Sequence, residues 1–234
     1  MRISISQPTF LPYEGYFELI NYVDKFIFLD SVQFDKRSWQ QRNWLIIGKK
    51  EKLITIPVIT KNKFNQLIGD VEIDYKNFDL KNFFLSLELN YKKTKFFDQF
   101  YPKIYEIFNK KNKYLSDLNI ELIVQICEFL EIKTSFIKSS SFEIDISFKK
   151  EKLLNEIIKK NNCSEYISTI GSKDYLEDKN SFIHEKTNIK YFEYKNTNFK
   201  SKNLKCKHLS ILDSLFKEGK ELKKKLSKNF KIIN

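Results

Sequence analysis

The chain has 234 residues, 41% of them hydrophobic, with only five glycines and four prolines; that supports a real core and argues against a loop-rich or disordered chain. Its formal net charge is +12, and all of its 42 basic residues are lysine except Arg2, Arg37 and Arg42. The lysines are spread along the chain, which fits a merely lysine-rich composition as well as attraction to phosphates or an acidic partner, and no RNP-like, helix-turn-helix or finger pattern points to nucleic acid.

In chain order, Ile3 to Ile5 reads as a short buried strand. It ends at Gln7-Pro8, because proline has no amide to give to a ladder. After a loop from Thr9 to Tyr13, the residues Tyr16, Phe17, Ile20 and Val23 recur at helical spacing. Lys25 to Asp30 is an apolar run closed by an acid, a second buried strand. Such a β-loop-α-β unit starts a parallel sheet. Asn43 to Gly48 and Lys52 to Val58 then read as a hairpin across Gly48-Lys49-Lys50. A helical pattern runs from Asn82 to Leu130, with Ser116 placed to cap a helix carrying Leu118, Leu122, Ile126 and Leu130 on one face.

The α/β rhythm returns with a strand from Thr134 to Ile137 and a helix capped by Ser147 that turns Leu153, Leu154, Ile157 and Ile158 inward. Strands follow at Glu165 to Thr169 and Ile189 to Tyr194, and a last helix carries Leu209, Leu212, Leu215 and Phe216 up to Gly219. The tail after Lys220 reads as a lysine-rich amphipathic helix or a frayed end. The expected architecture is one α/β domain over 1–234: an open, mainly parallel sheet with helices on both faces, and an inserted hairpin and helical part over about 43–130. In such sheets ligands bind beyond the carboxyl ends of the strands. That gathers Ser6 and Gln7, Asp30 to Gln33, and Thr169 to Lys173 around one crevice.

Several familiar sites are ruled out by spacing. Gly15, Gly48, Gly69, Gly171 and Gly219 are scattered, so neither a P-loop nor a dinucleotide fingerprint exists. Cys206-Lys207-His208 supplies two ligands where zinc takes three or four, and there is no Gly-x-Ser-x-Gly elbow. No cofactor is expected. The three cysteines, Cys127, Cys163 and Cys206, are too widely spaced for a disulfide framework and indicate a reducing compartment. The polar start does not read as a signal peptide, and no run of about 18 apolar residues spans a membrane. The expectation is a cytoplasmic protein.

Four clusters carry the chemistry. Ser6 to Tyr16 holds two prolines and a glycine between a strand and a helix; it is either a rigid connection or a phosphate-holding helix N-terminus. Asp30 at a strand end suits a general base or a sugar-hydroxyl ligand, and Arg42 beside Asn43 suits a phosphate or carboxylate; a loop cap and a surface ion pair are the structural alternatives. Thr169 to Tyr175 places Lys173, Asp174 and Tyr175 after small residues, as a binding mouth or a turn into a helix. His208, one of two histidines, precedes the last helix; it is the candidate for proton transfer near neutral pH, with a structural histidine at a helix start as the alternative.

At these clusters the chain resembles the WbqC-like family. The family's opening signature is similar to Ser6-Gln7-Pro8-Thr9-Phe10-Leu11-Pro12-Tyr13-Glu14-Gly15-Tyr16-Phe17, and its Asp-Asp-Val-Gln-Tyr to Asp30-Ser31-Val32-Gln33-Phe34. Its Asn-Arg-Asn resembles Gln41-Arg42-Asn43, its Leu-Thr-Ile-Pro-Val resembles Ile54 to Val58, and its Leu-Asn-Tyr matches Leu89-Asn90-Tyr91. Near the end, Tyr166 to Tyr175 and His208 to Gly219 resemble two further signatures, the second one residue shorter between His and Ser. Ser6 stands where many relatives carry His, and Thr169 where the family has Gly.

The resemblance implies surface-polysaccharide (O-antigen-type) biosynthesis, with N-acyl or aminoacyl transfer to a nucleotide-linked amino sugar as its reaction and an acyl-carrier protein or coenzyme A as donor. Asp30 and His208 then supply the base, while Ser6, Gln7, Tyr13, Tyr16, Gln33, Arg42, Asn43, Asn90, Lys173, Asp174 and Tyr175 bind substrate. A non-catalytic scaffold of a glycan assembly pathway and an ATP-dependent ligase are the alternatives. The start is also similar, more distantly, to adenylyl-transferring nucleotidyltransferases, which place His-x-Gly-His between first strand and first helix. Here the text is Tyr13-Glu14-Gly15-Tyr16. Both histidines that would stabilise a phosphate transition state are absent.

Overall fold

The computed structural model describes residues 1–48, 50–145, 148, 150–176, 187–195 and 208–233. β1 (Arg2–Ser6), α1 (Glu14–Tyr22) and β2 (Lys25–Phe28) form the expected opening unit, with β1 and β2 parallel and Ser6 level with Phe28. β3 (Arg42–Ile47) and β4 (Lys50–Thr55) pair as an antiparallel hairpin, and three helices follow: α2 (Leu80–Tyr91), α3 (Phe97–Asn109) and α4 (Leu115–Phe129). The chain then continues through β5 (Ser135–Lys138), α5 (Lys150–Lys160), β6 (Glu165–Thr169), α6 (Lys173–Leu176), β7 (Asn188–Tyr194), α7 (Leu212–Glu218), α8 (Leu222–Leu226) and β8 (Phe230–Ile233).

Six strands make the central sheet in the order β5-β2-β1-β6-β7-β8. The first five run parallel, and β8 closes one edge antiparallel to β7. Leaving the hairpin aside, this is the doubly wound order 3-2-1-4-5-6, whose direction of winding reverses between β1 and β6.

Strand alternation sends side chains to two different helical layers. Ile3, Ile5, Ile27, Tyr166 and Tyr191 pack against Leu153, Leu154, Ile157 and Ile158 of α5 and Leu176 of α6. Phe26, Phe28, Ile167 and Phe192 face the opposite way, into a larger core with Phe17 and Ile20 of α1, Leu118, Leu122 and Ile126 of α4, Leu215 and Phe216 of α7, and Leu226 of α8. Ser4 is the polar exception among the buried positions of β1. Its hydroxyl is satisfied by donating to the Ile167 carbonyl at 2.8 Å.

Two expectations need correction. Ser116 does not cap α4: the helix starts at Leu115, Tyr114 holds the N-cap position without a side-chain bond, and Ser116 is buried in the first turn. The orphan amide of Leu115 is satisfied by the Val71 carbonyl at 2.8 Å, so no hydroxyl is needed there. Of the two readings of the tail beyond Lys220, the lysine-rich helix holds over Leu222–Leu226, with Leu222 and Leu226 buried, and the frayed end does not. After the short α8 the chain returns as β8, with Phe230 stacked on Phe192 at 4.8 Å and Ile232 also against the core. The expected cap at Ser147 lies outside the described residues.

Phe216 is fully buried between Tyr91 and Phe97, at centroid distances of 5.0 and 5.1 Å. Phe216→Ala is expected to cost about 3–5 kcal/mol in urea unfolding. Leu85→Ala, at a 47% exposed position of α2, is expected to stay within about 0.5 kcal/mol.

Candidate functional site

Two cavities open at the carboxyl ends of β1 and β6, one on each face of the sheet, and Ser6 and Thr169 belong to the walls of both. The larger, about 490 Å³, lies on the α5 face. Ile5, Leu29, Val32, Leu153 and Leu154 give it apolar sides, and Ser6, Gln7, Thr9, Tyr166, Ser168, Thr169 and Ser172 give it polar ones. Its size and mixed lining suit a small hydroxylated ligand. The serines are held in place: Ser172 Oγ donates to the Thr169 carbonyl at 2.6 Å, and Ser168 Oγ lies 3.3 Å from the Tyr166 hydroxyl. Gln7 accepts from Nε2 of the buried Gln40 at 2.9 Å, which fixes its amide at the rim.

The second cavity, about 390 Å³, lies on the α1 face and is aromatic. Tyr13, Tyr16, Phe192, Tyr194 and His208 line it. His208 is exposed and leans on Tyr13, with centroids 4.6 Å apart, and on Tyr194 at 6.2 Å. A Cβ on Gly15 would fall 2.4 Å from the Tyr13 ring and 2.6 Å from the Tyr194 ring, so only glycine lets both rings rest on the first turn of α1. Tyr16 is buried and donates to the Gln7 carbonyl at 2.9 Å. Burial pushes its hydroxyl well above the ordinary tyrosine range.

Behind this wall, α1 buries two acids one turn apart. Glu14 accepts from Ser214 Oγ and lies 3.5 Å from the Tyr194 hydroxyl. Glu18 has no exposed surface, and among the described residues no side chain donates a hydrogen bond to its carboxylate. Burial first, and then the neighbouring Glu14 charge, push it up from 4.5 to about 8, while the backbone of Asn229 offsets part of the rise. Burial and then Glu14 likewise push the Tyr194 hydroxyl up.

The structure thus brings Ser6, Gln7, Tyr13, Tyr16 and His208 to the β1–β6 crevice and leaves other expected residues outside its walls. Asp30 lies two residues beyond β2 on the same sheet edge, yet its buried carboxylate is committed to the turn after β5. Oδ1 accepts from Ser139 Oγ at 3.0 Å and Ser140 N at 2.8 Å, and Oδ2 accepts from Ser140 Oγ at 2.6 Å. Asn43 is buried, and its Nδ2 donates to the carbonyls of Phe10 and Leu11 at 3.1 and 2.8 Å. Asn90 accepts from the Gly48 amide at the hairpin turn, and Gln33 donates to Asn65 on an exposed loop. Arg42 opens β3, half-buried. Lys173 starts α6 with its ammonium over the Tyr191 ring; the side chains of Asp174 and Tyr175 lie outside the described residues, as does Cys206.

Ser172 and Glu14 fall within the expected clusters Thr169 to Tyr175 and Ser6 to Tyr16, whereas Ser168 and Glu18 are not among the expected site residues. Their signals were polar residues at core-facing positions: Ser168 in an otherwise buried strand, and two acids four apart on an apolar helix. Among the described residues no group of three His, Cys, Asp or Glu could hold a metal ion, and no helix is long and apolar enough to cross a membrane.

Fold and crevice together define a mixed α/β protein, a central sheet between two helical layers with its cavities at the switch between β1 and β6. Residues 7–225 match the WbqC-like protein family, and the chain belongs to that family. It is similar to an uncharacterized protein of Mycobacterium tuberculosis (strain ATCC 25618 / H37Rv), Rv1507c, with 31% identity over 194 residues covering 82% of each chain. No solved structure matches.

Two outcomes follow from these environments. Asp30→Asn replaces an acceptor oxygen by a donor among donors and is expected to cost about 1–3 kcal/mol in urea unfolding, with a non-additive cycle against Ser140→Ala. Glu18 keeps in the folded state a proton that the unfolded chain releases. Stability is therefore expected to fall as pH rises from about 4.5 to about 8 and to level off above. Glu18→Gln removes that slope, so thermal melts should show a larger gain at pH 8 than at pH 5.

Proposed function

We propose that this protein is a cytoplasmic enzyme of surface-polysaccharide biosynthesis that transfers an acyl or aminoacyl group to the amine of a nucleotide-linked amino sugar. The reading is carried by the pair of cavities that meet at Ser6 and Thr169, one rich in hydroxyls, the other bearing a histidine. A sugar ring has apolar faces and a polar edge, and the larger cavity offers both kinds of surface. Ser6, Gln7, Ser168 and Ser172 hold the sugar there. The sugar amine points across the strand ends towards His208. The amine attacks the thioester carbonyl of an acyl-carrier protein or coenzyme A, the C–N bond forms, and the C–S bond breaks. His208 takes the proton lost by nitrogen and returns it to the departing sulfur.

In this reading Asp30 shapes the edge and leaves the role of base to His208, because both of its oxygens are already engaged. Tyr13 and Tyr16 shape the donor side. Arg42 and Lys173 contribute positive charge near the nucleotide and the acidic carrier.

One observation favours a second reading, a non-catalytic scaffold of a glycan assembly pathway: Asp30 and Asn43 spend their hydrogen bonds on the protein's own backbone and loops.

The experiment is a panel of nucleotide-linked amino sugars with acyl-carrier and coenzyme A donors, followed by mass spectrometry. An N-acylated product is expected with at least one pair, with His208→Ala lowering kcat about 10²-fold or more and Ser168→Ala acting mainly on KM. If no pair gives an acylated product, the transferase reading fails and the scaffold stands.

A further inference from the structure

An exposed turn beside the mouth of the larger cavity is pinned by buried side chains. In the connection between β2 and β3, Asp35, Lys36, Arg37 and Trp39 are exposed, and the two residues that follow, Gln40 and Gln41, are buried. Gln40 Oε1 accepts from the Asp35 amide at 3.4 Å, and Gln41 Oε1 accepts from the Arg37 amide at 3.0 Å. The Trp39 carbonyl accepts from the Phe10 amide at 2.9 Å, and the Gln40 carbonyl accepts from Asn119 Nδ2 at 2.7 Å. Gln40 also donates to Gln7, which lines the larger cavity and not the aromatic one. The turn and the rim of the larger cavity are therefore one hydrogen-bonded unit.

What this rigid turn presents to solvent is unusual. Trp39 is 53% exposed, although tryptophan is on average highly buried. Arg37 takes a φ of 66°, a left-handed conformation that is uncommon outside glycine and that gathers at ligand sites. Arg2 is paired with Asp24, whereas Arg37 has no ion pair among the described residues. A guanidinium presents a fork of donors that matches phosphate oxygens. An exposed indole presents a face on which a base stacks. The two groups stand two residues apart on a backbone fixed from below, so little ordering is left for a ligand to impose.

We infer that Arg37 and Trp39 form a nucleotide subsite: Trp39 stacks on the base and Arg37 holds the diphosphate, while the attached sugar occupies the larger cavity. The inference rests on the sugar site proposed above and adds where the rest of that substrate lies. Coenzyme A also joins a base to a diphosphate, but the proposed donor side is the aromatic cavity on the α1 face, which Gln7 does not line.

The probes are UDP, dTDP, GDP, CDP and coenzyme A, titrated into the full chain by calorimetry and by tryptophan emission. At least one nucleoside diphosphate is expected to bind with a Kd below about 1 mM and to quench the emission. Trp39→Ala is expected to weaken that binding about tenfold or more. Trp39→Phe keeps a ring and is expected to keep most of the affinity while losing the quench. Arg37→Gly removes the guanidinium and suits the positive φ; it is expected to weaken binding about tenfold or more with an unchanged melt. Coenzyme A affinity is expected to be the same in all variants. These titrations need no turnover, so binding that depends on both residues supports the subsite even where no N-acylated product forms. Three results would overturn it: no nucleoside diphosphate binding below about 1 mM, full affinity in folded Trp39→Ala or Arg37→Gly, or an N-acylated product formed by both variants with unchanged KM for the nucleotide-linked sugar.

Discussion

β1 is paired on both sides by parallel strands, β2 and β6, and the chain reaches those neighbours in opposite directions. A connection leaving β1 can cover one face of the sheet, and the connection leaving β6 covers the other. Neither closes the space above the two strand ends, so a gap must remain there. Everything proposed for the chemistry rests on this gap. Ser6 and Thr169 stand at its two sides and reach both cavities because they sit at the last positions of the strands that create it.

The long connections around that edge have little regular backbone pairing of their own, and buried amide side chains replace it. Asn119, on α4, donates to the carbonyls of Pro8 and Gln40 at 3.2 and 2.7 Å. Asn43 holds Phe10 and Leu11, the latter at a positive φ that leucine rarely takes. Asp30 ties the end of β2 to the end of β5. Each such donor or carboxylate is costly to bury alone and is offset by these partners, although among the described residues the Asn119 Oδ1 has none. The loops bearing Gln7 and Tyr13 are thus set by the interior. This is why several polar residues at the edge serve architecture while simple hydroxyls line the cavity.

α1 carries a different tension. Its inward face holds Tyr16, Phe17 and Ile20 in the core, yet the same helix buries Glu14 and Glu18 beside Tyr194. Glu14 accepts from the Ser214 hydroxyl, whereas Glu18 has no side-chain donor of this kind among the described residues, and burial favours its neutral form. The wall behind the aromatic cavity therefore joins rigid ring packing on Gly15 to an acid whose proton is held by the fold.

Much of the architecture was legible in sequence because its signals are local. Ile3 to Ile5, Lys25 to Phe28 and Glu165 to Thr169 are short runs rich in β-branched and aromatic residues with clear ends, and the hairpin shows in two β-rich runs around Gly48. Family membership was legible too, since its signatures are strings. β8 was hidden because four residues after a lysine-rich helix carry no periodic signal; its strand character comes from pairing with β7 and from Phe230 meeting Phe192. The site was legible only in part. Gln7, Asp30 and His208 all look like chemistry in a sequence, but whether a carboxylate is available depends on its donors, and those of Asp30 lie 109 and 110 residues away. Sequence determined every described strand but β8, their parallel start and the residue types at each strand end, because these follow from period and local backbone chemistry. Tertiary structure alone decided which strand ends adjoin and which polar groups are already satisfied, because both depend on contacts between segments far apart in the chain.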